Sequence, residues 1–170
     1  ADLNFSLLPW QQEVFKDSTR FKVVAAGRRC GKSRMAAVTL LIEGLKCPQG
    51  SAVLYVSPTM GQSRQIIWDL LLDLGREVIQ SSHVNNLDIT LINGARIYVR
   101  GADRPDTLRG VSLTYAVLDE VAQHLGQRSG VGQRPRPLAQ LDVQLDIALI
   151  GLGLDGVDDL WRQDQFLRSV

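Results

Sequence analysis

One stretch constrains this chain more than any other: Phe21 to Leu41, FKVVAAGRRCGKSRMAAVTLL. A short apolar run (Val23, Val24, Ala25, Ala26) meets Gly27-Arg28-Arg29-Cys30-Gly31-Lys32-Ser33. Helical periodicity then starts at once, with Met35, Val38, Leu41, Ile42 and Leu45 on one face. The pattern predicts a strand, a phosphate-binding loop and a helix. In such a loop, glycines let successive backbone N–H groups turn inward on a polyphosphate, and the helix N-terminus adds its partial positive charge. Lys32 reaches the outer phosphates and Ser33 is placed to hold Mg²⁺. The usual string is G-x-x-x-x-G-K-[ST]; here Ala26 stands at its first position, a departure of one methyl group. Arg28 and Arg29 add positive charge facing the same anion, although either one alone reads equally well as a solvated loop residue.

A second motif completes the chemistry. Thr114 to Leu118 (TYAVL) is a buried-strand run that ends in Asp119-Glu120. A carboxylate pair at the carboxyl end of a strand, downstream of a phosphate loop, has a definite use: Asp119 accepts from a water on Mg²⁺, and Glu120 orients and deprotonates the attacking water. The competing reading is an acidic N-cap for a following helix. The strands ending at the loop and at Asp119 are expected to be sheet neighbours, which brings carboxylates and phosphates together at the strand ends.

The rest of the chain supplies a frame. Pro9 opens a short helix with Trp10, Val14 and Phe15 at helical spacing. Gln11, whose amide both donates and accepts, could read an adenine edge; a solvated helix glutamine fits the spacing as well. Cys47-Pro48-Gln49-Gly50 ends the long helix, and Ser51 to Ser57 is a second buried strand. Gly61 to Gln80 is expected as a helix with Ile66, Ile67, Leu70, Leu71, Leu74 and Val78 on a stripe and Trp68 beside it. Two β-α units in series predict a mainly parallel sheet. From Leu87 the period changes to two, and Asn93-Gly94 marks a β-hairpin. Gly126 to Arg136 reads as a basic loop, Leu141 to Leu154 as a strand and Asp155 to Val170 as a closing helix.

Composition excludes some classes. At 170 residues the chain fits one domain, and 45% hydrophobic with 22% charged residues is a globular composition. A formal net charge of +1 means that any nucleic-acid surface must be local. Cys30 and Cys47 make neither a zinc spacing nor a disulfide framework, and Cys30 reads as a passive small residue within the loop. His83 and His124 stand apart from any catalytic or metal spacing. The N-terminus lacks a signal-peptide pattern, and no apolar run approaches the ~20 residues of a membrane span. The missing initiating Met points to processing or a fragment.

With both motifs in place, the order of residues resembles the ATPase domain of the large terminase subunit of tailed bacteriophages, a DNA-packaging motor. The matching pieces are Leu8-Pro9-Trp10-Gln11, the Val24 to Ser33 segment, Val56-Ser57-Pro58-Thr59 with Trp68, and Asn93-Gly94-Ala95 followed by Arg100-Gly101-Ala102. Leu108-Arg109-Gly110 and Ala116 to Ala122 complete the set. The resemblance implies a RecA/ASCE-type P-loop NTPase, its mainly parallel sheet flanked by helices and carrying a β-hairpin insertion. Residues 1–123 would form the ATPase core, 124–140 a Gly/Arg/Pro-rich loop and 141–170 an atypical end. It also implies roles: Gln11 on adenine; Ala26, Gly27, Arg28, Arg29, Cys30, Gly31, Lys32 and Ser33 around ATP; Ser33 and Asp119 on Mg²⁺; Arg28 or Arg29 on the γ-phosphate; Glu120 on the hydrolytic water.

Arg109 matches the arginine that such motors insert into a neighbouring subunit's site, which implies a homo-oligomeric ring. Implied partners are double-stranded DNA, the portal and the small terminase subunit, in the host cytoplasm, with no membrane. Two departures stand out. Ile150-Gly151-Leu152-Gly153, the nearest match to the family's coupling motif, lacks its hydroxyl residue, and the family's nuclease domain is not expected in this chain, whose tail suggests truncation or a shifted frame. A helicase-like translocase, or a nucleotide- or DNA-binding module without turnover, are the alternatives.

Overall fold

The computed structural model describes residues 5–27, 29–103 and 113–120, together with the backbone of 146–154. At its centre is β2, whose six residues Ala52–Ser57 are all buried. An unbroken apolar strand is what burial on both faces requires. Val53 and Tyr55 pack with the helices, while Ala52, Leu54 and Val56 join Leu113 and Ala116 in a second cluster.

The other strands are β1 (Phe21–Ala26), β3 (Ile79–His83), β4 (Asp88–Leu91), β5 (Arg96–Gly101), β6 (Leu113–Leu118) and β7 (Asp146–Leu154). They lie in the order β1-β7-β6-β2-β5-β4-β3. A mainly parallel sheet is expected from the sequence, and the observed sheet is mixed. β2 pairs in parallel with both β5 and β6, but β1–β7, β7–β6, β5–β4 and β4–β3 are antiparallel. It follows that β1, β6, β2, β5 and β3 all point one way, with β7 and β4 opposed. Nor are the strands ending at the loop and at Asp119 neighbours, because β7 lies between them, with Val24 opposite Ala148 and Ala116 opposite Gly151. Apolar periodicity suits a strand in either direction. The connections decide direction, and these are what the sequence pattern leaves open.

The hairpin falls where the Asn-Gly turn places it. Leu91 and Ala95 close it through a backbone bond of 2.9 Å, and Gly94 takes the left-handed φ of 79° that the turn demands.

Among the helices, α1 (Pro9–Lys16) starts with proline at its first position and α2 (Lys32–Lys46) buries Met35 to Leu41 almost completely. The helix expected over Gly61 to Gln80 is shorter and interrupted. It runs as α3 (Met60–Ser63), a π-helical turn (Arg64–Trp68) and α4 (Asp69–Leu74), stops at Gly75, and gives way to β3. The wider π turn rotates the buried face, so that Ile67 and Trp68 both reach the core and Trp68 is 2% exposed. Among the described residues no helix is long and apolar enough to cross a membrane. Of the strand expected over Leu141 to Leu154, the part from Asp146 onward is present as β7, and residues 141–145 lie outside the described residues. Arg28, Arg109, the 126–136 loop and the 155–170 helix lie outside the described residues.

Candidate active site

The site forms where β1 and β6 end and α2 begins. After Ala26 the chain turns through Arg29, at a left-handed φ of 62°, and Gly31, at 86°. Two left-handed residues so close together reverse the loop tightly enough for α2 to start at Lys32. Gly31 is required twice over. Its φ disfavours any side chain, and a Cβ there would lie 2.7 Å from Nε2 of Gln11.

Gln11 explains the loop's fixed shape. Only 1% exposed, its amide donates from Nε2 to the Gly31 carbonyl at 2.9 Å and accepts from the Leu8 N–H at 2.8 Å. It braces the loop from beneath. Lys32 is tied to the same loop: its Nζ donates to the carbonyls of Ala26 (2.7 Å) and Gly27 (2.9 Å).

Across from the loop stands the acidic pair. Asp119 is 6% exposed, and its backbone N–H donates to the Val56 carbonyl at 2.8 Å, so it continues the register of β6 against β2. Its Oδ2 accepts from the Tyr55 hydroxyl at 2.6 Å and its Oδ1 from the Glu120 N–H at 3.0 Å. Burial, and then the Asp119 charge, raise the Tyr55 pKa far above the ordinary phenol range, so the phenol keeps its proton. Glu120 adopts a φ of 52°, a conformation that costs a non-glycine residue of the order of 1 kcal/mol or more and recurs at functional sites.

A cavity of about 460 Å³ joins the two halves. Its walls are Arg29 to Arg34 on the loop side and Asp119 and Glu120 on the other, with Ile66 contributed by the π-helical turn. The volume is that of a small-molecule site. Formal charges on the wall are three cations (Arg29, Lys32, Arg34) against two carboxylates. Of the residues expected from sequence, Arg29, Cys30, Gly31, Lys32, Ser33, Asp119 and Glu120 come together here. Gln11, Ala26 and Gly27 stand behind the loop and do not line the cavity. Arg34 and Ile66 do: the sequence pattern assigns Arg34 no role and sets Ile66 on the apolar stripe of a helix, whereas here it is half-buried on the cavity wall. Arg34 directly follows the Lys-Ser pair, a signal that was there to read. Ile66 could be placed only with the π turn known.

No protein-family profile matches the chain, and no curated protein does. Among solved structures its likeness is to an ATPase domain of the large-terminase class. The chain is similar to the large terminase ATPase domain of Thermus phage P74-26, with a TM-score of 0.62 and 25% identity over 71% of this chain and 56% of that one. A variant of the same domain with one arginine replaced by alanine gives a TM-score of 0.59 at 24% identity, with the same coverage. This chain therefore spans little more than half the length of either domain. The likeness supports a fold of the large-terminase ATPase type for the part of the chain that it covers.

Proposed function

We propose that the chain is the ATPase part of a terminase-type motor, hydrolysing ATP with Mg²⁺ to drive double-stranded DNA into a capsid. One observation carries the proposal: Lys32, Ser33 and Arg29 share a single cavity with Asp119 and Glu120. Phosphate oxygens would compete with the Ala26 and Gly27 carbonyls for the Lys32 ammonium, and the amides at the start of α2 would receive the β-phosphate. Arg29, with Arg28, would face the γ-phosphate. Glu120 would orient the attacking water and accept its proton, its side chain set by the left-handed backbone. Gln11 acts here first as the brace of the loop, and an adenine contact would need its amide to exchange partners.

The residues suit Mg²⁺. Ser33 and Asp119 offer a hydroxyl and a carboxylate oxygen from the two sides of one cavity, and among the described residues no group of three His, Cys, Asp or Glu could cage a metal alone. Mg²⁺ at nucleotide sites uses one or two protein oxygens and takes its other ligands from water and phosphate. Once bound, the ion neutralises phosphate charge.

Arg109 is proposed to act in trans on a neighbouring subunit's ATP within a ring, a contribution of about 10³ or more in rate for such groups. Binding to DNA would be mainly through phosphate, independent of sequence and weakened by salt. Portal and small terminase subunit would be the assembly partners, in the host cytoplasm.

Steady-state ATP hydrolysis, measured beside Lys32→Ala and Glu120→Gln, tests the reading. The unmutated chain is expected to turn over, with stimulation by duplex rather than single-stranded DNA. Glu120→Gln should bind nucleotide without turnover, and Lys32→Ala should lose binding. Nucleotide binding with no hydrolysis by the unmutated chain would instead identify a binding module. For Arg109, mixtures of Arg109→Ala and Glu120→Gln protein should regain activity that neither has alone; failure to recover under ring-forming conditions removes the trans role.

A further inference from the structure

We propose that Tyr55 is a positioning residue for the site: its hydroxyl holds the Asp119 carboxylate in the orientation that meets the Mg²⁺–nucleotide. The inference rests on the nucleotide-hydrolysing reading above and adds to it a residue on a different strand.

The geometry comes from the register of two strands. Tyr55 of β2 lies opposite Val117 of β6, and Asp119 is two residues further along. Residues two apart share a face of a strand, so the Tyr55 ring runs beneath Val117 and its hydroxyl emerges at the strand ends, 2.6 Å from Oδ2. The ring is fully buried among Val53, Ile67, Val99 and Val117 in the main core. Phenylalanine would fill such a slot equally well as an apolar filler. A buried hydroxyl in apolar surroundings is costly unless it is bonded, and here its partner is a carboxylate on the wall of the site.

The bond also restricts motion. An aspartate side chain at the end of a strand can rotate about two bonds, and the Glu120 N–H restrains only Oδ1. Tyr55 restrains the other oxygen from within the core.

Groups that orient a metal-facing carboxylate typically contribute 10- to 100-fold in metal affinity or activity when removed. The test is therefore a metal titration. Mn²⁺ binding to the full chain with a non-hydrolysable ATP analogue is followed by electron paramagnetic resonance, and melting temperature is recorded in parallel. Tyr55→Phe is expected to raise the Mn²⁺ dissociation constant roughly ten-fold, with analogue affinity in EDTA unchanged. Asp119→Asn should weaken Mn²⁺ at least as much, and adding Tyr55→Phe to it should cause no further loss.

Two outcomes overturn the proposal: a Tyr55→Phe dissociation constant within two-fold of the unmutated chain, or an equal loss with and without Asp119→Asn. Should Tyr55→Phe fail to fold, 3-fluorotyrosine labelling replaces it. The Tyr55 fluorine signal, assigned by elimination with Tyr98→Phe and Tyr115→Phe, is expected to move on adding Mg²⁺ with the analogue, and a stationary signal overturns the role. If Lys32→Ala binds the analogue as well as the unmutated chain, the nucleotide reading itself falls and this role falls with it. If Lys32→Ala loses binding while Tyr55→Phe keeps its metal affinity, the role of Tyr55 alone is lost.

Discussion

The two ends of α2 are built on opposite plans. At the rear, the protein satisfies the helix itself. Nδ2 of Asn93, from the hairpin turn, lies within 2.9 to 3.1 Å of the carbonyls of Gly44, Leu45 and Cys47. Lys46 stands in the last turn, where a cation suits the helix dipole, paired with Glu43 at 2.8 Å and set over the Phe15 ring. At the front, no described side chain caps the helix, no acidic residue occupies the first turn, and Arg29, Lys32 and Arg34 crowd the end where cations are least welcome. A helix finished in this way is unfavourable by itself and becomes favourable beside an anion. The difference separates a joint that serves the fold from one that is left for a ligand.

That contrast can be broken experimentally. The largest effect is expected at the front from Glu120→Gln, with kcat lower by about 10² or more and the melting temperature nearly unchanged, which would show that this end serves chemistry. Gly31→Ala should come next. It forces a side chain into a left-handed backbone and against Gln11, costing roughly 1–3 kcal/mol from the backbone alone, and urea titration with a nucleotide-binding assay should show stability and binding falling together. Asn93→Ala strips the rear cap and should remove about 1–2 kcal/mol of stability by urea unfolding, with nucleotide affinity unchanged; a loss of affinity would join the two ends functionally. Lys46→Ala is the smallest, a few tenths of a kcal/mol for an i,i+3 pair whose lysine is largely exposed, and its effect should shrink at high salt.

The sequence makes some of these features plain and hides others, each for a physical reason. The loop, the strand ending in Asp119-Glu120 and the Asn93-Gly94 hairpin are legible because local chemistry dictates them: positive φ, strand period and turn type act within a few residues. β3 is not, since Gln80-Ser81-Ser82-His83 is an edge strand exposed along most of its length and has no apolar alternation to betray it. The π turn is invisible because one additional residue per turn leaves the composition unaltered. The reversed direction of β7 and its place between β1 and β6 are properties of connections. Gln11 shows a subtler limit: an amide able to recognise a base and one able to brace a loop are the same group, and only coordinates show which partners it has. Tyr55 reads in the sequence as one more apolar strand residue, and its hydroxyl acquires meaning only through the register of β2 against β6.

The Asn93 clamp has a mechanical consequence. The fifteen residues of α2 span about 22 Å. Asn93 grips one end and the core seats the middle, from Met35 to Leu41. A close-packed interior yields little to compression, so α2 is a strut that holds the Lys32 end at a set distance from the hairpin turn.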